Sequence, residues 1–244
     1  MNHDGNRPAT AEIDDLTIVA AEHADAVRRL WGGSLGHTVR CVPTRRTLMA
    51  RGDGVDLYAK CYTTRAGADG EWRWSARLRE AGFLAPAPVG IARARARSMA
   101  VFQGVPGRSL DAWAVTAAQE GWLESWCGYV IGPVAELVAR LHARGWVHRD
   151  LNLAHLYSED PRDAAPPSLI DVERMFEPRW RRRRWIVKDL ASLLASCPPA
   201  VPARAQARFL VRYGRAFSCA NRARLAREVR AKRARIVAHT PRFG

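Results

Sequence analysis

No apolar run in this chain approaches the roughly 20 consecutive residues a membrane-spanning helix needs. Any contact with a bilayer is therefore expected to be peripheral. The opening stretch, MNHDGNRPATAEIDD, has no apolar segment and does not read as a secretory signal. Cysteine is sparse: Cys41, Cys61, Cys127, Cys197 and Cys219 are odd in number and form no C-x-x-C pair. That disfavours a zinc site or a disulfide framework and fits a reducing cytosol. The chain has no G-x-G-x-x-G and no internal repeat. Negative charge is also short, with 24 Asp and Glu against 39 Lys and Arg, for a net +15. Such an excess implies an anionic partner, whether nucleic acid, a membrane surface, a nucleotide or a phosphorylated glycolipid.

What is present is ordinary in bulk. The 244 residues are 48% hydrophobic, enough for one large domain or for two lobes. Residues 1–16 are polar and expected to be disordered. EIDDLTIVAAEHADAVRRLW reads as a short strand and a helix. A three-stranded antiparallel meander is expected over 38–62, with a turn at Gly52 to Gly54. In its last strand Val55, Leu57, Ala59 and Cys61 alternate with Asp56, Tyr58, Lys60 and Tyr62. This period of two buries one face and points Lys60 from the other. A helix over Glu71–Ala81 stops at Gly82, and Pro86 and Pro88 prevent its continuation. After an apolar strand at 98–102, GYVIGPVAELVARLHARG puts Val130, Ile131, Val134, Leu137, Val138 and Leu141 on one helical face. Pro133 suits the first turn of that helix and Gly145 its end. AHLYSEDPRDAAPPSLIDV reads as two short strands around a loop, and the last third is helical and very basic.

Four polar residues stand at element ends or on an exposed strand face: Lys60, Glu71, Asp150 and Asp171. Singly each has a plain explanation. An exposed strand lysine is ordinarily solvated, and an aspartate after a strand is ordinarily a turn or cap residue. Together they match the needs of phosphoryl transfer. Such a site needs a cation on the nucleotide phosphates, an anion that orients it, a carboxylate beside the attacking hydroxyl and another for a divalent metal.

LHARGWVHRDLNLAHLY and LIDVERM resemble the catalytic loop and metal-binding aspartate of the protein-kinase-like fold. Asp150 and Asp171 lie 21 residues apart, which suits a loop, a hairpin and a metal site. HRDLNLAHLY has histidine where typical protein kinases carry a metal-binding asparagine, LIDVERM replaces D-F-G, and RRWIVKDLASLLAS follows with no long activation segment and no A-P-E. These three stretches resemble the bacterial lipopolysaccharide core kinases, the heptose and Kdo kinases, over roughly residues 38–240.

The resemblance implies an α+β, two-lobed fold: a small antiparallel-sheet N-lobe over 17–104 and a mainly helical C-lobe over 105–244. It implies an ATP-dependent phosphotransferase acting on a sugar hydroxyl of the lipopolysaccharide inner core or a similar anionic glycoconjugate. ATP with Mg²⁺, or Mn²⁺, would be the cofactor set. Asp150 and Lys60 become the catalytic pair, and Lys60, Glu71, Arg45, Arg46, Gln103 and Val105 the nucleotide contacts, with Glu80 as an alternative partner for Lys60. Asp171 and His155 become metal residues, and His148, Arg149 and Asp189 support the loop. His155 keeps three readings: a weak metal ligand, a phosphate contact or a brace, since imidazole suits Mg²⁺ poorly.

Without a glycine loop, the turn VPTRRT offers Arg45 and Arg46 to phosphate oxygens, or only leaves them as exposed edge cations. The run RWRRRRW, with Arg181, Arg182, Arg183 and Arg184, would face an anionic acceptor. Residues 222–242 carry eight Lys and Arg and one Glu, and read either as a helix on the inner face of the cytoplasmic membrane or as a solvated face. The expected location is the cytoplasm. A small-molecule or protein kinase of the same fold is the alternative. A nucleic-acid-binding protein would leave Lys60, Asp150 and Asp171 unexplained, a pseudokinase does not need them, and no nucleic-acid partner is expected.

Overall fold

A strand-rich first part and a helical second part follow directly from the periodicities of the chain. The computed structural model describes residues 12–52 and 54–239. The expectation of disorder over 1–16 lies outside the described residues for 1–11, while Asp15 and Leu16 begin strand β1 (Asp15–Ile18). The chain divides into two compact units, Met1–Arg79 with Pro86–Gly104, and Glu80–Ala85 with Val105–Gly244.

The first unit holds β1, α1 (Ala24–Trp31), β2 (His37–Val42), β3 (Arg45–Gly52), β4 (Val55–Tyr62), most of α2 (Asp69–Glu80), β5 (Pro88–Ala94) and β6 (Arg97–Gln103). Its six strands form one antiparallel sheet in the order β1-β5-β6-β4-β3-β2. Alternation along β4 works as expected. Leu57 and Ala59 are buried against α1 with Val27, Leu30 and Trp31. The opposite face carries Ile91, Ala100 and Phe102, packed with Trp72 and Ala68. Gly90 of β5 suits that first face, because a Cβ there would lie 3.0 Å from the Val27 side chain, closer than ordinary van der Waals contact. Strand β5 forms although Pro86 and Pro88 read as breakers in the sequence. Pro88 is tolerated as the first strand residue, opposite Phe102, with a register shift before Gly90.

The second unit holds β7 (Arg108–Ser109), α3 (Leu110–Gln119), α4 (Leu123–Tyr129), α5 (Ala135–Ala143), β8 (Leu156–Ser158), β9 (Ser168–Leu169), α6 (Arg182–Ala195), α7 (Ala203–Ala216) and α8 (Arg222–Val237). The strands β7-β8-β9 make a small antiparallel sheet. Pro133 does not open a helix. It sits inside a π-helical turn, Val130–Val134, that joins α4 to α5. Proline has no N–H to donate and crowds the preceding turn, and the wider turn relieves both. Gly145, at φ +85°, ends the run as expected.

Residues 80–85 depart from the expected lobe boundary at 104. Arg140 Nη2 donates to Gly82 O at 3.2 Å, Leu169 N donates to Leu84 O at 2.8 Å, and Phe83 packs on Trp146 with ring centroids 6.0 Å apart. These contacts tie the segment to the helical unit although it precedes β5 in the chain.

Candidate active site

In the first unit, Lys60 leaves β4 on the face that carries α2. Its Nζ donates to Glu71 Oε1 at 2.7 Å, and Tyr62 OH donates to Glu71 Oε2 at 3.3 Å. Glu71 lies in the first turn of α2 and is only 2% exposed. A buried carboxylate requires partners, and Lys60 and Tyr62, two residues apart on one strand face, supply both oxygens. Glu80 ends α2 and is exposed, so of the two expected partners the geometry selects Glu71.

The nucleotide grip expected from Arg45 and Arg46 changes. The turn between β2 and β3 is only Pro43 and Thr44, because Val42 pairs with Arg45. Both arginines therefore belong to β3. Arg45 lies opposite Tyr62 and Arg46 opposite Cys61. Side chains alternate across a sheet, so Arg45 shares the face of Lys60, whereas Arg46 points from the other face beside Cys61. Burial pushes the Cys61 thiol up, and the charges of Arg46 and Arg97 partly oppose it. Arg46 is thus not a phosphate contact alongside Lys60. Gln103 ends β6 with its side chain against His23 at 3.3 Å, and Val105 opens the longer segment of the second unit.

Exchanging Lys60 for methionine is expected to destabilise the first unit by about 2 kcal/mol. That is less than the 3–5 typical of a broken buried pair, because Tyr62 still donates to Glu71. The double variant Lys60→Met/Glu71→Gln is expected to recover most of that stability and none of the activity, as read by thermal melting and turnover.

In the second unit the loop after α5 is held from below. Asp189 on α6 is fully buried and accepts from His148 N at 2.7 Å and Arg149 N at 2.9 Å. His142 Nε2 lies 3.4 Å from the same carboxylate, and its Nδ1 lies 2.8 Å from Tyr213 OH. Burial drives the Tyr213 phenol well up, so the hydroxyl keeps its proton. Arg149 stands at φ +72° and Asp171 at φ +55°. Left-handed backbone at non-glycine residues is costly and persists only where surroundings over-determine it. The Asp189 bonds provide that at Arg149.

His148 is fully buried, and its Nε2 donates to Ile170 O at 3.1 Å, linking the loop to the residue before Asp171. Burial pushes its pKa below the ordinary imidazole range. The unfolded chain then takes up this proton first. Stability is full above the unfolded value, about 6.5, and falls as pH drops below it toward the folded value. Thermal melts between about pH 8 and 5 are expected to show this loss, and a His148→Asn variant should flatten it.

Asp150 carries two cations. Arg174 Nη1 donates to Oδ2 at 2.7 Å, and Lys188 Nζ reaches Oδ1 at 3.5 Å. Its main-chain oxygen accepts from Asn152 Nδ2 at 3.1 Å and from His155 Nδ1 at 2.9 Å. With Nδ1 carrying that proton, His155 Nε2 faces Asp171 Oδ2 at 3.5 Å. The carboxylates of Asp171 and Glu173 offer oxygens within 4.8 Å of each other. Asn152 Oδ1 is buried and without a hydrogen-bond partner. Carboxylate and amide oxygens are the donors a hard divalent cation takes. The orphaned Asn152 oxygen, close to Asp150 and His155 along the loop, fits such an ion.

Arg182 and Arg183, expected to meet an anionic acceptor, lie at the surface, and each makes a bond within the chain. Arg182 Nη2 donates to His142 O, and Arg183 Nε donates to Glu228 Oε2 at 2.8 Å. The reason is topological: α8 packs on α6 and brings Glu228 opposite that turn. Arg181 and Arg184 are exposed as well. Asn152, Glu173, Arg174 and Lys188 were not anticipated. All four stand within the quoted motifs, but only the fold returns Lys188 to Asp150 across 38 residues.

The sequence model of the lipopolysaccharide kinase (Kdo/WaaP) family matches residues 55–213. The chain belongs to this family. The match runs from the start of β4 into α7 and so includes Lys60, Glu71, Asp150, Asp171 and Asp189. Among solved structures, WaaP in complex with acyl carrier protein is similar, with 26% identity, TM-score 0.71, and coverage of 91% of this chain and 99% of that one. An aminoglycoside-3'-phosphotransferase of type VIII aligns at 20% identity and TM-score 0.51, over 86% of this chain and 98% of that one. An aminoglycoside phosphotransferase from Streptomyces rimosus aligns at 16% identity and TM-score 0.58, over 88% and 99%. A search of curated proteins finds no match. This lipopolysaccharide kinase family member is therefore an enzyme with the protein-kinase-like α+β fold expected from its motifs. Among the described residues no helix is long and apolar enough to cross a membrane.

Proposed function

We propose that this kinase transfers the γ-phosphoryl group of ATP to a sugar hydroxyl, on heptose or Kdo, of the lipopolysaccharide inner core. The observation that carries the reading is the braced loop. Asp189 holds the backbone at His148 and Arg149, and so presents Asp150 with its carboxylate partly exposed. Asp150 orients the attacking hydroxyl and accepts its proton. Lys60, fixed by Glu71, holds nucleotide phosphates. Asp171, Asn152 and Glu173 would hold a divalent ion, with His155 bracing the loop through the Asp150 carbonyl and its Nε2 lone pair open to share the ion. The ion supplies positive charge that neutralises the phosphate oxygens. Mn²⁺ accepts a nitrogen donor more readily than Mg²⁺.

The expected position is the cytoplasm, with the basic helix α8 against an anionic membrane face. Leu225 and Val229 are buried there, so only its other sides are available. The WaaP neighbour was solved with an acyl carrier protein. With a net +15 here, a carrier of negative surface charge is a fitting partner. Arg181 and Arg184 stay assigned to the anionic acceptor. Replacing both with glutamine is expected to raise the acceptor KM severalfold and flatten its salt dependence, leaving the KM for ATP unchanged, since exposed Coulombic contacts are screened within about 10 Å at 0.1 M salt.

Mass spectrometry of inner-core glycolipids incubated with the purified protein and ATP tests the assignment. A gain of one phosphate on heptose or Kdo supports it. Transfer to no glycolipid fraction, joined with tight binding of mixed oligonucleotides at physiological salt, sinks it.

A further inference from the structure

The loop that carries Asp150 has no cation of its own on the C-terminal side. From Leu151 to Asp160 there is no Lys or Arg. Yet phosphoryl transfer spreads negative charge over three equatorial oxygens beside the attacking hydroxyl, and positive groups placed there lower the barrier. Two cations reach Asp150 from elsewhere in the second unit, Arg174 and Lys188. Against one carboxylate they leave an excess of one positive charge (−1 + 1 + 1) where an anionic group must arrive.

The two are not equivalent. Arg174 binds Oδ2 at 2.7 Å, a full charge-assisted hydrogen bond that fixes the carboxylate. Lys188 stands at 3.5 Å from Oδ1, the limit of such a bond, with its side chain 29% exposed. Its ammonium is a compact charge with three donors on a flexible stem. Its backbone, by contrast, is registered to the loop. The next residue, Asp189, is the one that binds His148 N and Arg149 N. A partly exposed ion pair is worth about 0–1 kcal/mol, so stability does not explain a lysine at this position.

We propose that Lys188 is a catalytic cation that leaves Asp150 Oδ1 to contact the transferring phosphoryl group. This rests on the kinase reading above. In the step, the acceptor oxygen bonds to the γ-phosphorus as the bond from phosphorus to the β,γ-bridging oxygen breaks. The hydroxyl proton passes to Asp150, and the bridging electron pair leaves with ADP. The Lys188 ammonium neutralises the oxygens of the group in flight.

The test uses the full chain and two readouts. Lys188→Met is expected to lower kcat by about 10²- to 10³-fold, as loss of one transition-state donor does in other enzymes. The KM values for ATP and acceptor should stay within about threefold, since ground-state binding is not involved. Lys188→Arg should recover to within about tenfold of native turnover, because it restores the charge. The second readout needs no acceptor. ADP with aluminium fluoride and magnesium mimics the phosphoryl group in flight, and its affinity should fall by at least about 30-fold in Lys188→Met, while ADP with magnesium binds as before. Equal affinity of native and variant for that mimic overturns the proposal, as does a raised acceptor KM with unchanged kcat. Failure of the native protein to bind the mimic more tightly than ADP would overturn the kinase reading itself, and this role with it. Lys188→Gln repeats the measurement should the methionine variant fail to melt as a folded protein.

Discussion

Asp150→Asn is expected to lower phosphate transfer by about 10²- to 10⁴-fold, the range for loss of a positioned general base, while the protein melts within about 1 kcal/mol of native stability. The two effects separate because of what the side chain touches. Its ion pairs with Arg174 and Lys188 are partly exposed, with 33% of the Asp150 side chain accessible, so solvent replaces them at little cost. Its backbone carbonyl, which receives Asn152 and His155, is untouched by the substitution. An amide keeps the shape but cannot take the hydroxyl proton. Turnover near native in this variant would remove Asp150 from the chemistry. A large fall in melting temperature with normal activity per folded molecule would make it a structural ion pair instead.

Asp189→Ala is expected to be the most damaging single change to stability. It leaves the buried N–H groups of His148 and Arg149 without acceptors, at about 1–3 kcal/mol each. A total loss of about 2–6 kcal/mol should lower the melting temperature by about 5–20 °C for a protein of this size. His142 loses its carboxylate partner at the same time, and Arg149 loses the bond that holds its left-handed backbone. Activity should therefore fall even at temperatures where the variant remains folded, since Asp150 follows Arg149 directly. A melting temperature within about 2 °C of native would show that water satisfies those amides, and the bracing role would be lost. The paired change His142→Ala should cost less, because Asp189 keeps both backbone donors.

Much of this site was legible in the chain. Alternation along VDLYAKCY placed Lys60 opposite the buried Leu57 and Ala59 because a strand sends neighbouring side chains to opposite faces. The same rule, applied to the correct turn, separates Arg45 from Arg46. That separation was missed because a two-residue turn at Pro43 and Thr44 cannot be told from a longer one without the pairing partner. Strand β5 was missed because proline is read as a breaker, although a strand's first residue needs no inward N–H. The π-helical turn around Pro133 was missed because a proline early in an apolar helix ordinarily marks its start.

Sequence by itself determined the passage from a strand-rich first part to a helical second part, the buried and exposed faces of β4, and the residue types of a phosphoryl-transfer site, since these depend on local periodicity and on motifs a few residues long. Tertiary structure alone decided the partnerships across long separations. It chose Glu71 over Glu80, drew residues 80–85 to the helical unit, gave the exposed Arg182 and Arg183 partners within the chain, and brought Arg174 and Lys188 onto Asp150. Those choices follow from which charges come together when strands and helices pack, and a charge's partner is set by distance in space, which no spacing along the chain encodes.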